Sequence, residues 1–383
     1  MSTNSAKPIL VAGGGIGGLT AAVALRRAGL AVEVFERAEE IREVGAGIAI
    51  QPNAVLALRR IGLDAAAAAV SCIEEALRLW TWDGTLLACL RPRELVPEAP
   101  FLSLHRAAFQ EVLLEALGRE GLHTGSECAG YEARPDSVAL LLRDGRRIEG
   151  AALVGADGLH SRVREQLLGD GEPPYAGYTA WRAVTPEGFM PRPEGSSETW
   201  GRGHRFGIVP IPHGRVYWYA TSNAPPGGRD EPGALRDSLL RVFGGWHSPI
   251  RELIAATAEG AILRTDVRHR HPARRWGEGR VTLLGDAAHP LTPNLGQGAC
   301  QAIEDAVVLA ECLRAVPDPT AALRRYEARR RPRTAGIARR AFHLGWIGQW
   351  TSPTACWLRD RLVGSTPDAF NRLQMRHLFR FPF

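Results

Sequence analysis

The residues with the plainest chemical meaning are three glycines. Gly13, Gly15 and Gly18 form G-x-G-x-x-G directly after the apolar run P-I-L-V-A and directly before the small-residue stretch L-T-A-A-V-A-L. That spacing makes a turn whose backbone can touch a pyrophosphate. Gly13 permits the tight turn, Gly15 removes the side chain that would block the phosphates, and Gly18 lets the next helix pack closely on the strand. The helix start then points unpaired N–H groups at the phosphates. Glu36 ends a second β-branched run eighteen residues after Gly18, where a carboxylate can accept hydrogen bonds from both ribose hydroxyls of an adenosine. A 2′-phosphate would be repelled there. These residues predict a dinucleotide site and leave FAD and NAD open.

Two acidic turns follow. Residues 153–164, L-V-G-A-D-G-L-H-S-R-V-R, run from a buried strand into Asp157-Gly158 and a helix start. Residues 281–298, V-T-L-L-G-D-A-A-H-P-L-T-P-N-L-G-Q-G, run from a strand into Gly285-Asp286, a second glycine-rich loop and a helix expected to begin near Gly296. Either alone fits a structural turn. In the second, Pro293 stiffens the chain while Gly296 and Gly298 leave room for a flat ring against the backbone. The positive end of the following helix would face that ring. In a flavin it would stabilise the charge that develops at N1 on reduction, by the logic of an oxyanion hole.

In this order and spacing, the three motifs resemble the class A flavoprotein aromatic monooxygenases, the family of para-hydroxybenzoate, salicylate and urate hydroxylases and zeaxanthin epoxidase. The resemblance covers essentially the whole chain. It implies that Glu36 and Arg37 hold the adenosine end of FAD, that Arg106 in S-L-H-R-A-A-F-Q contacts the cofactor, and that Asp286 meets the ribityl or pyrophosphate region. Asp157 would serve both FAD and the nicotinamide donor. It further implies reduction of FAD by NADH or NADPH, addition of O2 at the flavin C4a, and delivery of oxygen from the hydroperoxide to an aromatic or olefinic substrate. No second G-x-G-x-x-G follows a strand, so no separate nicotinamide domain is expected. Two other readings stay open: an FAD-linked dehydrogenase or saturase, and a non-catalytic FAD-binding interaction protein.

The elements that must position these residues read as an α/β fold. A Rossmann-like FAD-binding domain from 1–170 and 265–335 would carry an inserted β-rich substrate domain, 171–264, and a helical tail, 336–383. In R-V-Y-W-Y-A the two-residue period of a strand puts Tyr217 and Tyr219 on one face and Trp218 on the other. Arg205 and Tyr217 are the candidate catalytic residues, with Phe206 and Trp181 as further pocket candidates. Arg205 and Tyr217 also fall roughly where some urate-hydroxylase relatives place substrate contacts. The aromatic, amphipathic tail reads as helices packed on the FAD domain, or as a lip for a hydrophobic substrate or a membrane surface.

Composition removes other chemistries. Of 47 basic residues only Lys7 is a lysine, so Schiff-base chemistry, a Walker loop and the lysine of flavin halogenases are excluded beyond the N-terminal tail. The arginine cluster at 324–333 reads as a solvated helix face rather than a nucleic-acid patch. Six cysteines without short paired spacing read as buried reduced thiols, and His269 with His271 lacks further ligands for a metal. A cytoplasmic monomer or homodimer is expected.

Overall fold

Ile9–Ala12 is buried on both faces, the pattern of a central strand in a parallel sheet covered on each side. The computed structural model, which describes residues 7–41, 46–190, 193–231 and 233–383, pairs it in parallel with Val32–Phe35 on one side and Ala152–Gly155 on the other. Leu122–His123 extends the sheet beyond Val32–Phe35, and Val281–Leu283 and Gly277–Glu278 extend it beyond Ala152–Gly155. The chain thus leaves the first strand toward one neighbour and later returns beside it on the other. This is a topological switch point, and the crevice beyond its carboxyl end is where doubly wound sheets bind ligands. Gly13 stands there. Helices Ile16–Arg27 and Gly298–Ala315 share one apolar core with this sheet, as do Leu140 and Leu142 of an antiparallel three-stranded sheet formed by 128–150.

A second, seven-stranded sheet stands against the first unit. Its order is Leu263–Arg268, Tyr175–Val184, Arg215–Asn223, His204–Ile211, Ser196–Trp200, Leu77–Thr81 and Leu86–Leu90. The last two strands come from a region that the sequence reading gave to the FAD-binding domain. They join because Leu77–Thr81 pairs in parallel with Ser196–Trp200, a non-local contact that leaves no local signal. One face of the sheet is covered by helices Leu235–Phe243 and Ile250–Ala256, whose Leu239, Phe243, Leu253 and Ile254 pack on Phe206, Ile208 and Trp218.

The thirty-residue helix Pro319–Gly348 and the helices Pro353–Gly364 and Asp368–Phe379 form the tail. Leu378 and Phe379 enter the core of the FAD-side unit, whereas Arg359 is buried with its guanidinium over the Trp200 ring of the second sheet. The tail therefore clamps both units. The arginine cluster is not a solvated face. Arg330 is fully buried, bonded to Asp305 at 2.6 Å and to Glu304, while Arg333 meets Glu304 at 2.7 Å. Two carboxylates inside the neighbouring helix draw these arginines inward. Among the cysteines, Cys128, Cys300, Cys312 and Cys356 are buried, whereas Cys89 is exposed.

Candidate active site

The glycine loop shows three different reasons for glycine. Gly13 has φ +107°, and a Cβ there would lie 2.4 Å from the Ala156 carbonyl oxygen; at Gly18 it would lie 1.9 Å from the Gly13 carbonyl oxygen. Both are demanded by the protein itself. At Gly15, the N-cap of Ile16–Arg27, a Cβ would meet no protein atom within 4 Å. The open space over Gly15, at the mouth of a helix N-terminus, fits a bound pyrophosphate.

Glu36 sits at the strand end as expected. Its carboxylate accepts from the Gly14 amide at 2.6 Å and the Ala38 amide at 2.9 Å, which leaves acceptor capacity for a ribose. Arg37 is exposed beside it. Arg106 opens the helix Arg106–Leu117, and Gln110, one turn on and so on the same face, donates to the Gly14 carbonyl at 3.3 Å. The Gln110 Oε1 is buried with no hydrogen-bond partner among the described residues, an orphan beside the glycine loop. This helix joins the loop to a cavity between the two units, which Arg106 lines. Asp157 is not in the cavity wall. Its Oδ2 accepts from the Arg162 and Val163 amides at the start of Arg162–Leu168, and its backbone backs Gly13.

The cavity, about 520 Å³, lies between the first unit and the bare face of the seven-stranded sheet. One wall is Asp286, Pro293, Gly296 and Gly298, so all four residues expected in the second glycine-rich loop come together. The helix starts at Gly298 rather than near Gly296, because Pro293–Leu295 makes a separate 3₁₀ turn ended by Gly296 at φ +61°. Asp286 opens into the cavity but is otherwise enclosed; burial pushes its carboxyl above the usual range, opposed by His289 and Arg106. Gln51, which the sequence reading missed, donates to the carbonyls of Leu295 and Gly296 at 2.8 and 3.2 Å and accepts from Gln297, pinning the loop.

The opposite wall follows strand parity. Arg182, Tyr219, Gly207 and Glu198 form one rung across four strands. A Cβ at Gly207 would lie 2.0 Å from the Tyr219 ring, so the absent side chain lets that ring lie across the strand with its hydroxyl donating to Glu198. Tyr217 also faces the cavity, and no described residue hydrogen-bonds its hydroxyl. Burial raises the Tyr217 pKa, with Arg182 and Arg106 pulling it down. Arg205 is in the wall but committed: Nε to Gln349 at 3.1 Å, Nη1 to Glu198 at 3.3 Å, Nη2 to Asn294 at 2.5 Å.

Phe206 and Trp181 are corrections. The same parity that turns Arg205 and Arg182 inward turns these two outward. Phe206 stacks on Trp218 at 5.4 Å in the helix-covered core, and Trp181 donates to Asp230 at 2.9 Å beneath Arg264. Glu198 and Asn294 were missed because their roles come from pairing across strands and across units. Tyr219 was on the face already predicted for Tyr217.

Residues 6–341 match the family model described as FAD binding domain. The chain is 48% identical to aurachin C monooxygenase/isomerase of Stigmatella aurantiaca, with 93% of each chain covered. It is 38% identical to 3-hydroxybenzoate 6-hydroxylase 1 of Aquipseudomonas alcaligenes, over 94% of this chain and 95% of that one. The structure of Klebsiella pneumoniae HpxO complexed with FAD and uric acid superposes with a TM-score of 0.91 at 30% identity, covering 97% of this chain and 96% of that one. With its open phosphate cradle and ring-sized loop, the chain belongs to the FAD-binding-domain family and is a flavoprotein monooxygenase.

Proposed function

We propose that the chain uses NAD(P)H and O2 to oxygenate an aromatic or conjugated small molecule held between the loop 286–298 and the rung Arg182–Tyr219–Gly207–Glu198. The observation that carries this reading is the single cavity lined by both. FAD, when bound, supplies the redox and oxygen-transfer chemistry. The Gly15 space takes its pyrophosphate, Glu36 its ribose, and Gly296 with Gly298 its ring.

The chain's own groups then act on the substrate. The wall carries Arg78, Arg106, Arg182 and Arg205 against Glu198 and Asp286, a positive excess suited to a substrate with an acidic ring hydroxyl or N–H. The Tyr217 hydroxyl bonds and orients that group. Glu198 is held by Arg205 and Tyr219 and accepts the substrate's proton through Tyr219. Arg205 acts as a positioning residue, fixing Glu198 and Asn294 rather than touching an anion.

Stimulation of NAD(P)H oxidation is the test, with aurachin C, hydroxybenzoates and urate as first compounds. One atom from labelled O2 should enter the product; oxygen from water, or anaerobic turnover with an artificial acceptor, would make the protein a dehydrogenase. Tyr217→Phe should cut substrate-dependent turnover about tenfold or more, the scale of one hydrogen bond, and leave FAD affinity unchanged. Glu36→Ala should weaken FAD by about 1.5–3 kcal/mol, since it removes a charged acceptor, read by flavin fluorescence titration. Equal affinity would mean that Glu36 serves only Gly14 and Ala38.

A further inference from the structure

The exposed apolar side chains are not scattered. Of the twelve large ones among the described residues, seven lie between 342 and 373. On Pro353–Gly364, Trp357, Leu358 and Leu362 are 60, 49 and 60% exposed. Leu358 and Leu362, four residues apart, share one stripe of the helix, and Trp357 flanks it about 100° round the axis. Trp82 and Leu86, at the free edge of the seven-stranded sheet, line the same surface depression as Trp357 and Leu362 and enlarge the stripe. Phe370 and Leu373 repeat the pattern on the next helix. A contiguous apolar surface with this much tryptophan and leucine marks a binding face.

Its charge identifies the partner. Residues 336–383 hold seven arginines, two aspartates and no lysine or glutamate, which is +5 of the chain's formal +6. Arg361, Arg372, Arg376 and Arg380 are exposed, and Arg361 lies over the Trp357 ring at 5.5 Å. Asp360 is tied to the buried Arg359 at 2.8 Å. A two-fold dimer through this patch would bring the same surface of each copy together, setting one arginine-rich face against another even with Arg372 paired to Glu94 at 3.3 Å. Nucleic acid would meet the charge but leave Leu358, Leu362 and Leu373 without a role. An anionic bilayer satisfies both, because tryptophan and arginine sit at the headgroups while the leucines enter the acyl boundary. Among the described residues no helix is long and apolar enough to cross a membrane, so contact would be peripheral.

We propose that the tail helices dock on an anionic lipid surface through Trp357, Leu358, Leu362 and the neighbouring arginines. Ser352 and Ala355, at the start of the same helix, line a groove with Trp346 and Trp350 that reaches Thr292 and Asn294, residues that also line the flavin-side cavity. The proposal rests on the surface alone and stands independently of the substrate assignment.

Sedimentation of the flavin-loaded protein with vesicles tests it, using phosphatidylcholine alone and phosphatidylcholine mixed with phosphatidylglycerol. Binding should appear with the mixture, fall about tenfold or more without the anionic lipid, and weaken as salt is raised. Trp357→Glu with Leu362→Glu should abolish it while FAD content and melting stay as in the parent, since both side chains are exposed. Arg361→Glu, which keeps the apolar stripe, should weaken it about tenfold. Absence of binding to the mixed vesicles overturns the proposal. So does a light-scattering mass that falls from dimer to monomer in the double variant with no lipid binding in the parent.

Discussion

Gly15→Val should give a folded, colourless protein. The protein's own atoms demand glycine at Gly13 and Gly18, whereas at Gly15 a Cβ would meet nothing within 4 Å beyond its chain neighbours. Far-UV circular dichroism and the urea midpoint should stay near those of the parent, with a change below about 1 kcal/mol for a site without protein contacts. FAD affinity should fall at least about a hundredfold, because a branched side chain stands where the pyrophosphate must approach the backbone. Gly18→Val is the contrast. Its Cβ would lie 1.9 Å from the Gly13 carbonyl oxygen, so folding itself should fail. A yellow Gly15→Val protein with the parent's affinity would mean that the phosphates run elsewhere.

Arg330→Met should be among the most destabilising single changes. Arg330 is wholly buried, with its guanidinium shared by Asp305, Glu304 and the Gln301 side chain. Asp305 in turn accepts the Gly285 amide at 3.0 Å and meets His289 at 2.6 Å, so the charge pair braces the turn that presents Asp286. Removing one member of a buried pair costs about 3–5 kcal/mol, measured as a shift in urea midpoint. The pH dependence checks the cause. Burial pushes the Glu304 and Asp305 carboxyls up, but for Glu304 the Arg330 and Arg333 charges, and for Asp305 His289 and Arg330, outweigh it, leaving both below their usual values. Depressed folded values contribute stability that is complete above the unfolded values of roughly 4.3 and 3.9 and lost as pH falls through the folded ones. Without Arg330, burial is opposed less and both values rise, so the variant's deficit should shrink between pH 7 and pH 5. A deficit constant with pH would assign the effect to packing instead.

The cofactor side of this architecture was legible because its demands are local. Glycine spacing, a strand ending in Glu36 and the run around Asp286 each state a backbone requirement within a few residues. Strand parity correctly put Tyr217 and Tyr219 together, yet the same rule, applied to Arg205 and Phe206, shows that adjacent residues cannot both face the cavity. What sequence could not supply was pairing at a distance. Leu77–Thr81 joins the second sheet through Ser196–Trp200, and Glu198 becomes a site residue only when Arg205 and Tyr219 are brought to it. The arginine cluster was misread for the same reason: Glu304 and Asp305, which draw Arg330 inside, lie on another helix.

Arg205 also constrains the order of assembly. Its three partners are separated from it by 7, 89 and 144 positions along the chain. The first forms within a hairpin, the second when the two units meet, and the third only after the long helix has been laid across both. Closing loops of such different length carries increasing entropic cost, so the guanidinium should acquire its partners in that sequence, with Gln349 last. A polypeptide emerging from the ribosome would pair the charge early, with Glu198, but leave the guanidinium without its two amide acceptors in the future cavity wall until nearly its whole length was available. Nascent-chain truncations ending before and after Gln349 should therefore differ sharply in protease resistance of the seven-stranded sheet.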